Sequence, residues 1–369
     1  MIDRYPINIT SDIQTLLRKN VPVAIGVSGG KDSHVVAFLI AEYLREIKHT
    51  GPLILIHSDL GRIEWKDSAA TCERIARDLG LNLEVVRRRA GDLIDRFETR
   101  WMNNIQRYQT LSLVKLVLPW ATPKMRFCTG ELKLAVIASR LRKLFPKQSI
   151  ISASGIRAAE SPGRARKPVS QIQAKLSGKG FTGWDCYPIH SWTTEDVFEY
   201  LSVKGETLHE AYTQHHCTRV SCAFCIMSSL DDLKAAARCS SNEGAFRLLV
   251  DLEIRSTFAF QGSRWLGGVA PHLLSPEKRD ALAEAKEKAR RRAEVESLIP
   301  AHMLFTKGWP ESVPSFEEAS LLADVRQTVC EIIGIQPTFT DPREIITRYE
   351  SLIAEKQSGK TGELFESAA

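Results

Sequence analysis

The chain has 369 residues, 43% of them hydrophobic and 25% charged, a balance that excludes intrinsic disorder and supplies enough apolar material for a full core. No stretch reaches the roughly 18 apolar residues of a membrane span, and the first ten residues, MIDRYPINIT, lack the apolar centre of a secretory signal, so the expectation is a cytoplasmic protein without a membrane role. A formal charge of +6 permits a nucleic-acid or phosphorylated partner without requiring one.

Residues 21–27 (VPVAIGV) form a short apolar run that stops at Ser-Gly-Gly, and residues 33–48 then place apolar side chains at helical spacing. The loop therefore joins a buried strand to a helix. The same grammar recurs in strands at 53–57 and 83–86 with a helix at 65–79 between them, then in a helix at 130–144 and strands at 149–154 and 185–189. Residues 160–180, rich in Gly, Ser, Pro and basic side chains, are expected to be a mobile loop, and Thr193-Thr194-Glu195-Asp196 carries a capping pattern that should start a helix. Alternation of strand and helix predicts an α/β fold, a doubly wound and mainly parallel sheet with ligands at the carboxyl ends of its strands. The expected domains are 1–205 for nucleotide binding, 206–240 for a cysteine segment and 241–369 as a mainly helical C-terminal region, within which 275–297 reads as a solvated charged helix.

In Ser28-Gly29-Gly30-Lys31-Asp32-Ser33 the two glycines let backbone N–H groups approach an anion, and the following helix turns its positive end toward it. The hydroxyls of Ser28 and Ser33 with the charge of Lys31 complete a phosphate cradle. Arg157 follows the fourth expected strand, where a guanidinium can take a phosphate with two parallel bonds or simply lie on the surface.

Strand, SGGKDS and helix together resemble the PP-loop of the ATP pyrophosphatase superfamily, whose members cleave ATP between the α and β phosphates. His57-Ser58-Asp59-Leu60-Gly61, Gly155-Ile156-Arg157-Ala158-Ala159-Glu160-Ser161, and Tyr187-Pro188-Ile189 with Trp192-Thr193 and Asp196-Val197 are similar, in this order, to elements of the phosphoadenosine phosphosulfate (PAPS) reductase branch. The resemblance spans about residues 20–228. It implies an adenine nucleotide alpha hydrolase-like fold, ATP with Mg2+ as the bound nucleotide, Ser28, Gly29, Gly30, Lys31, Asp32, Ser33, Asp59, Gly61 and Arg157 as nucleotide ligands, and Ser28, Lys31 and Asp32 as catalytic residues.

Of the eight cysteines, Cys217, Cys222 and Cys225 lie within nine residues, and Cys128 in Arg126-Phe127-Cys128 is the natural fourth member. The spacing C-x4-C-x2-C with a distant cysteine matches an iron–sulfur arrangement, and four thiolates also suit zinc. A [4Fe-4S] cluster is the expectation and Zn2+ the alternative. Cys72, Cys186, Cys239 and Cys330 read as packing residues, and His215 and His216 as capping or substrate-contact groups beside the cysteines.

Three functions compete. One is a sulfurtransferase in which ATP adenylates a nucleic-acid oxygen that sulfur then replaces; one is reduction of adenylyl sulfate or PAPS; one is a metal-stapled interaction module with a vestigial loop. The intact loop argues against the last. Lys31, the absence of cysteine from the tail 359–369 and the absence of an adjacent Cys-Cys pair argue against reduction. tRNA-thiolating relatives use three cysteines, whereas four candidate ligands resemble the DndC and SspD proteins of bacterial DNA phosphorothioation. That resemblance implies a DNA backbone phosphate as acceptor, a cysteine desulfurase as sulfur donor, and DNA or a DNA-modification complex as partner.

Overall fold

The computed structural model describes residues 5–358; the expectations that rest on residues 1–4 and on the tail 359–369 lie outside them. The chain forms two compact units, one of Met1–Leu93 with Arg126–Glu243, the other of Ile94–Met125 with the residues from Gly244 onward.

The first unit is built on a six-stranded sheet in the order β3-β2-β1-β4-β6-β5. Its strands are β1 (Val23–Val27), β2 (Leu53–Asp59), β3 (Asn82–Arg87), β4 (Ile150–Ala153), β5 (Ser170–Ile172) and β6 (Gly183–Cys186). All pairs are parallel except β5 with β6. β1 is central, pairing Val23 with Leu53 on one side and Ile151 on the other, which is why it reads as an unbroken apolar run rather than an alternating one. The order of strands reverses between β1 and β4, so their carboxyl ends frame the crevice in which such sheets hold ligands.

Helices cover both faces. α1 (Ser11–Arg18), α2 (Lys31–Glu46), α3 (Asp67–Leu79) and the helix Thr194–Val203 bury Ile13, Val36, Leu39, Ile75, Val197 and Leu201 with Ile25 and Leu55 in one cluster. The helix Ala135–Leu144 buries Ala138 and Leu141 with Ala24, Ile54 and Ile150 in another. Each such aliphatic side chain contributes about 1.5–3 kcal/mol by leaving water. The capping pattern starts its helix as expected: Thr193 Oγ1 accepts the Asp196 amide at 3.1 Å, and Asp196 accepts the Thr193 amide at 2.7 Å.

Residues 160–180, expected as a mobile loop, are ordered into short helical turns and β5, whose Ser170 pairs with Cys186. The physical reason is that β6 exposes an unpaired edge, and main-chain hydrogen bonding to it needs no apolar signal in the added strand.

The second unit is helical, with Glu243–Ser256, Pro276–Ser297, Phe316–Ile333 and Pro342–Gln357 as its long C-terminal helices. Residues 94–125 belong to this unit because their aromatic side chains pack there: Trp120 lies 5.4 Å from Phe97 and 5.1 Å from Phe260, ring centre to ring centre. Pro276–Ser297 is mostly solvated, yet it also buries an ion pair between Arg292 and Glu296 at 2.8 Å. No helix among the described residues is long and apolar enough to cross a membrane.

Candidate active site

β1 ends at Val27 and α2 begins at Lys31, so Ser28, Gly29 and Gly30 form the turn between them. Gly29 has φ of +75°, and a Cβ there would stand 3.0 Å from His209 Cδ2 and 3.2 Å from Ser68 Cα; both conformation and space select glycine. Ser33 Oγ donates to the Gly30 carbonyl at 2.9 Å and accepts the Ser28 amide at 3.2 Å, which fixes the loop from inside. The Lys31 amide donates to the Tyr212 hydroxyl at 3.2 Å, and the Val220 amide donates to the same oxygen at 3.1 Å. Tyr212 thus ties the loop to the cysteine segment. Burial pushes its phenol up to about 12, so it serves as a neutral acceptor.

The Lys31 side chain is turned inward. It is 4% exposed, its Nζ lies 3.0 Å from Asp32 Oδ2, and the rings of Phe198 and Tyr212 are 5.7 and 5.9 Å from it. Arg157 is also buried: Nε lies 2.6 Å from Asp32 Oδ1, and the guanidinium donates to the Trp192 carbonyl at 3.2 Å and to Thr194 Oγ1 at 3.4 Å. Asp32 is therefore gripped on both oxygens. Gly155 permits this, since a Cβ there would stand 2.7 Å from the backbone carbon of Asp32. The Gly-x-Arg sequence presses the exit of β4 against the start of α2, and its arginine is occupied in holding Asp32.

Beside the loop lies a cavity of about 310 Å³ lined by Ser28, Gly30, Asp32 and Ser33 from the expected set, a size at the lower end of small-molecule sites. Its other walls come from Ile56, Leu134 and Ile137, which are apolar, and from Glu64, Lys133, Glu160, Arg164 and Arg219. The sequence reading missed Lys133 and Arg219 altogether and placed Arg164 on a mobile loop; only their positions relative to the glycine turn identify them.

Asp59 and Gly61 line a neighbouring cavity of about 280 Å³, together with His57, Cys72 and Glu64. Asp59 accepts the Gly61 amide at 2.7 Å and pairs with Arg87. Burial works to raise its carboxyl, but these bonds hold it below the usual range. His57 lies 3.0 Å from the Val27 carbonyl through Nδ1 and 3.2 Å from Glu64 through Nε2. Burial opposes charge on its ring, yet Cys72 and Glu64 outweigh it and push the imidazole up to about 10. Glu64 lines both cavities.

The four expected thiols divide. Cys222 has Cys225 and Cys128 as electrostatic neighbours, along with Lys133 and Glu64. Cys217 instead faces Asp232, Arg238 and Cys239, and its thiol is pushed up to about 11, first by burial. Around Cys217 the backbone is fixed by its amide, which donates to the Ala211 carbonyl at 2.8 Å, and by the Thr218 amide, which donates to Asp232 at 2.7 Å. No group of three or more His, Cys, Asp or Glu side chains among the described residues is arranged to hold a metal ion. As it stands, the donor set does not fit a four-thiolate centre.

The model of the phosphoadenosine phosphosulfate reductase domain matches residues 22–228, more than half of the chain. No curated protein matches it. Among solved structures it is similar to the phosphate complex of phosphoadenylyl-sulfate (PAPS) reductase from Candida auris, at 13% identity and a TM-score of 0.34, over 56% of this chain and 93% of that one. It is also similar to U34-tRNA thiolase NcsA from Methanococcus maripaludis with its [4Fe-4S] cluster, at 18% identity and a TM-score of 0.37, over 66% of this chain and 74% of that one. Likenesses of that size say nothing of the chemistry of this chain.

Proposed function

Since the chain belongs to the phosphoadenosine phosphosulfate reductase domain family and so to nucleotide-using enzymes of sulfur chemistry, we propose that it cleaves ATP to AMP and pyrophosphate and couples this to sulfur transfer onto a nucleic-acid oxygen. The acceptor in this reading is a DNA backbone phosphate, and the sulfur donor a cysteine desulfurase. The observation that supports it is the shared cavity: residues of the PP-loop and Arg219-Val220 of the cysteine segment line one space, so a nucleotide and the thiol-bearing segment meet.

In this mechanism Ile56, Leu134 and Ile137 offer an apolar slot for the base, while the loop amides, Ser28 and Ser33 receive phosphate oxygens. Mg2+ enters with ATP as part of the substrate. The acceptor oxygen attacks the α phosphorus and pyrophosphate leaves. The terminal sulfur of a cysteine persulfide, supplied by the desulfurase, then displaces AMP. A second thiol cleaves the S–S bond, freeing the phosphorothioate and leaving a disulfide that a thiol reductant returns to the reduced state. Asp32 is a positioning residue, and Lys31 acts from behind it through their ion pair. A [4Fe-4S] cluster, or Zn2+ in its place, would draw on Cys128, Cys222 and Cys225, which share electrostatic surroundings but are not gathered into a metal-holding group among the described residues, so no step is routed through it; Cys217 has other neighbours.

Reduction of a sulfonucleotide is the second reading, favoured by the family match itself; thiolation of tRNA is a variant of the first with a different acceptor. The test is incubation with ATP, Mg2+, cysteine, a cysteine desulfurase and DNA, followed by nuclease digestion and mass spectrometry. Phosphorothioate-linked dinucleotides support the proposal. Sulfite released from PAPS, or thiolated tRNA bases with unmodified DNA, would replace it by the corresponding alternative.

A further inference from the structure

The carboxylates that line the PP-loop cavity are all engaged. Asp32 is held by Arg157 and Lys31, Glu64 by His57, and Glu160 by Arg164. Two cations of the same cavity, Lys133 and Arg219, have no ion-pair or hydrogen-bond partner among the described residues. Both are half-buried, where an unpaired charge is costly unless a ligand neutralises it. Each sits on a thiol-bearing segment: Lys133 follows Cys128, on a π-helical turn Gly130–Leu134, a geometry frequent at functional sites, and Arg219 lies between Cys217 and Cys222. The backbone beside Arg219 lies next to the loop: a Cβ at Gly30 would stand at ordinary contact distance, 3.4 Å, from the Val220 carbonyl oxygen, and the Tyr212 hydroxyl accepts the amides of both Lys31 and Val220.

We propose that Lys133 and Arg219 form a second anion wall of the cavity, facing the PP-loop from the thiol side, and that its ligand is a diphosphate. Two uncompensated cations match an anion of two or more charges, and a guanidinium adds paired donors to phosphate oxygens. The contact of Val220 with Gly30 favours the diphosphate end of a nucleotide held by the loop over a more distant phosphate of the acceptor. A bound diphosphate would then lie against the backbone that carries Cys222, so occupancy of the nucleotide site is felt at the thiols. This rests on the reading of the cavity as a site of ATP cleavage and names the residues that receive the leaving group.

The experiment is titration calorimetry of the full chain with magnesium pyrophosphate and, separately, with AMP. Lys133→Gln and Arg219→Gln should each weaken pyrophosphate about tenfold or more while shifting AMP by less than about twofold, and Arg219→Lys should retain part of the affinity. Because a glutamine variant can fail to fold, the wild type is also labelled with iodoacetamide; saturating pyrophosphate should slow labelling of Cys222 and Cys225 severalfold. Unchanged pyrophosphate affinity in both glutamine variants, or labelling indifferent to pyrophosphate, overturns the proposal. So does loss of single-stranded DNA binding with pyrophosphate binding intact, which would assign the two cations to the acceptor. Product analysis separates this from the reading beneath it: pyrophosphate binding lost in the variants, with no AMP formed by the wild type, keeps the wall and removes the ATP cleavage, whereas AMP formation with unaltered pyrophosphate binding does the reverse.

Discussion

Arg157 Nε stands 2.6 Å from Asp32 Oδ1, joining the turn after β4 to the first turn of α2. The arginine is 2% exposed and the aspartate 20%, so most of the pair lies out of water. Arg157→Ala leaves Asp32 with only Lys31 and strands the Trp192 carbonyl; a loss of about 2–3 kcal/mol is expected, discounted from a fully buried pair for the partial exposure of Asp32. Arg157→Lys should not restore it, since a lysine cannot reach Asp32, Trp192 and Thr194 together. Urea unfolding of the three proteins measures this, and equal stability of wild type and Arg157→Ala would show that the pair is incidental.

His57 links stability to pH. Its folded-state value, about 10, lies above the ordinary 6.5, so the protonated ring is favoured by folding. Its contribution is fully present below pH 6.5 and is lost as pH rises toward 10. His57→Gln should therefore cost most at pH 6 and progressively less toward pH 10. Thermal melts across that range check the sign; a deficit that grows with pH would contradict it.

The grouping of thiols changes what each cysteine substitution should do. Cys128→Ser, Cys222→Ser and Cys225→Ser should each remove bound iron or zinc from anaerobically purified protein. Cys217→Ser, at a site only 6% exposed and beside Cys239, should keep the metal and lose about 1 kcal/mol of stability. Cys72→Ser and Cys330→Ser should also keep it. Elemental analysis and the visible spectrum decide; loss of metal from Cys217→Ser would return that thiol to the ligand set.

In the helical unit, Glu253 is fully buried and accepts the amides of Phe260, Leu266 and Gly267 at 2.8, 2.7 and 3.0 Å. Burial pushes its carboxyl up to about 7 against those bonds. Glu253→Ala leaves buried amides without acceptors and should cost about 3–5 kcal/mol. Hydrogen exchange at the three amides gives the local readout, and unchanged protection would exclude the role of Glu253 as the anchor of this loop.

The strands that position the site were legible because β1, β2 and β4 are buried on both sides and must be apolar. The glycines of the loop were legible because Gly29 occupies a backbone conformation that other residues avoid. β5 was not: Ile172 is 61% exposed, and an edge strand held by main-chain bonds leaves little trace in side-chain pattern. Nor could residue type show which way Lys31 and Arg157 point, since that is decided by Asp32 and by the space Gly155 leaves. Arg219 had meaning only once Val220 was seen beside Gly30, and the surroundings of Cys217 depend on Asp232, which binds Thr218 from fourteen positions further on.

Breakage of the bond between the α and β phosphates of ATP in the PP-loop cavity is the step on which the proposed function depends. It is tested most directly by incubating the purified chain with ATP labelled at the α phosphate and Mg2+, with and without DNA, and resolving the nucleotide products. AMP and an equal amount of pyrophosphate, abolished by Ser28→Ala or Lys31→Ala, is the predicted result. ADP with orthophosphate, or AMP release that survives both substitutions, would contradict it.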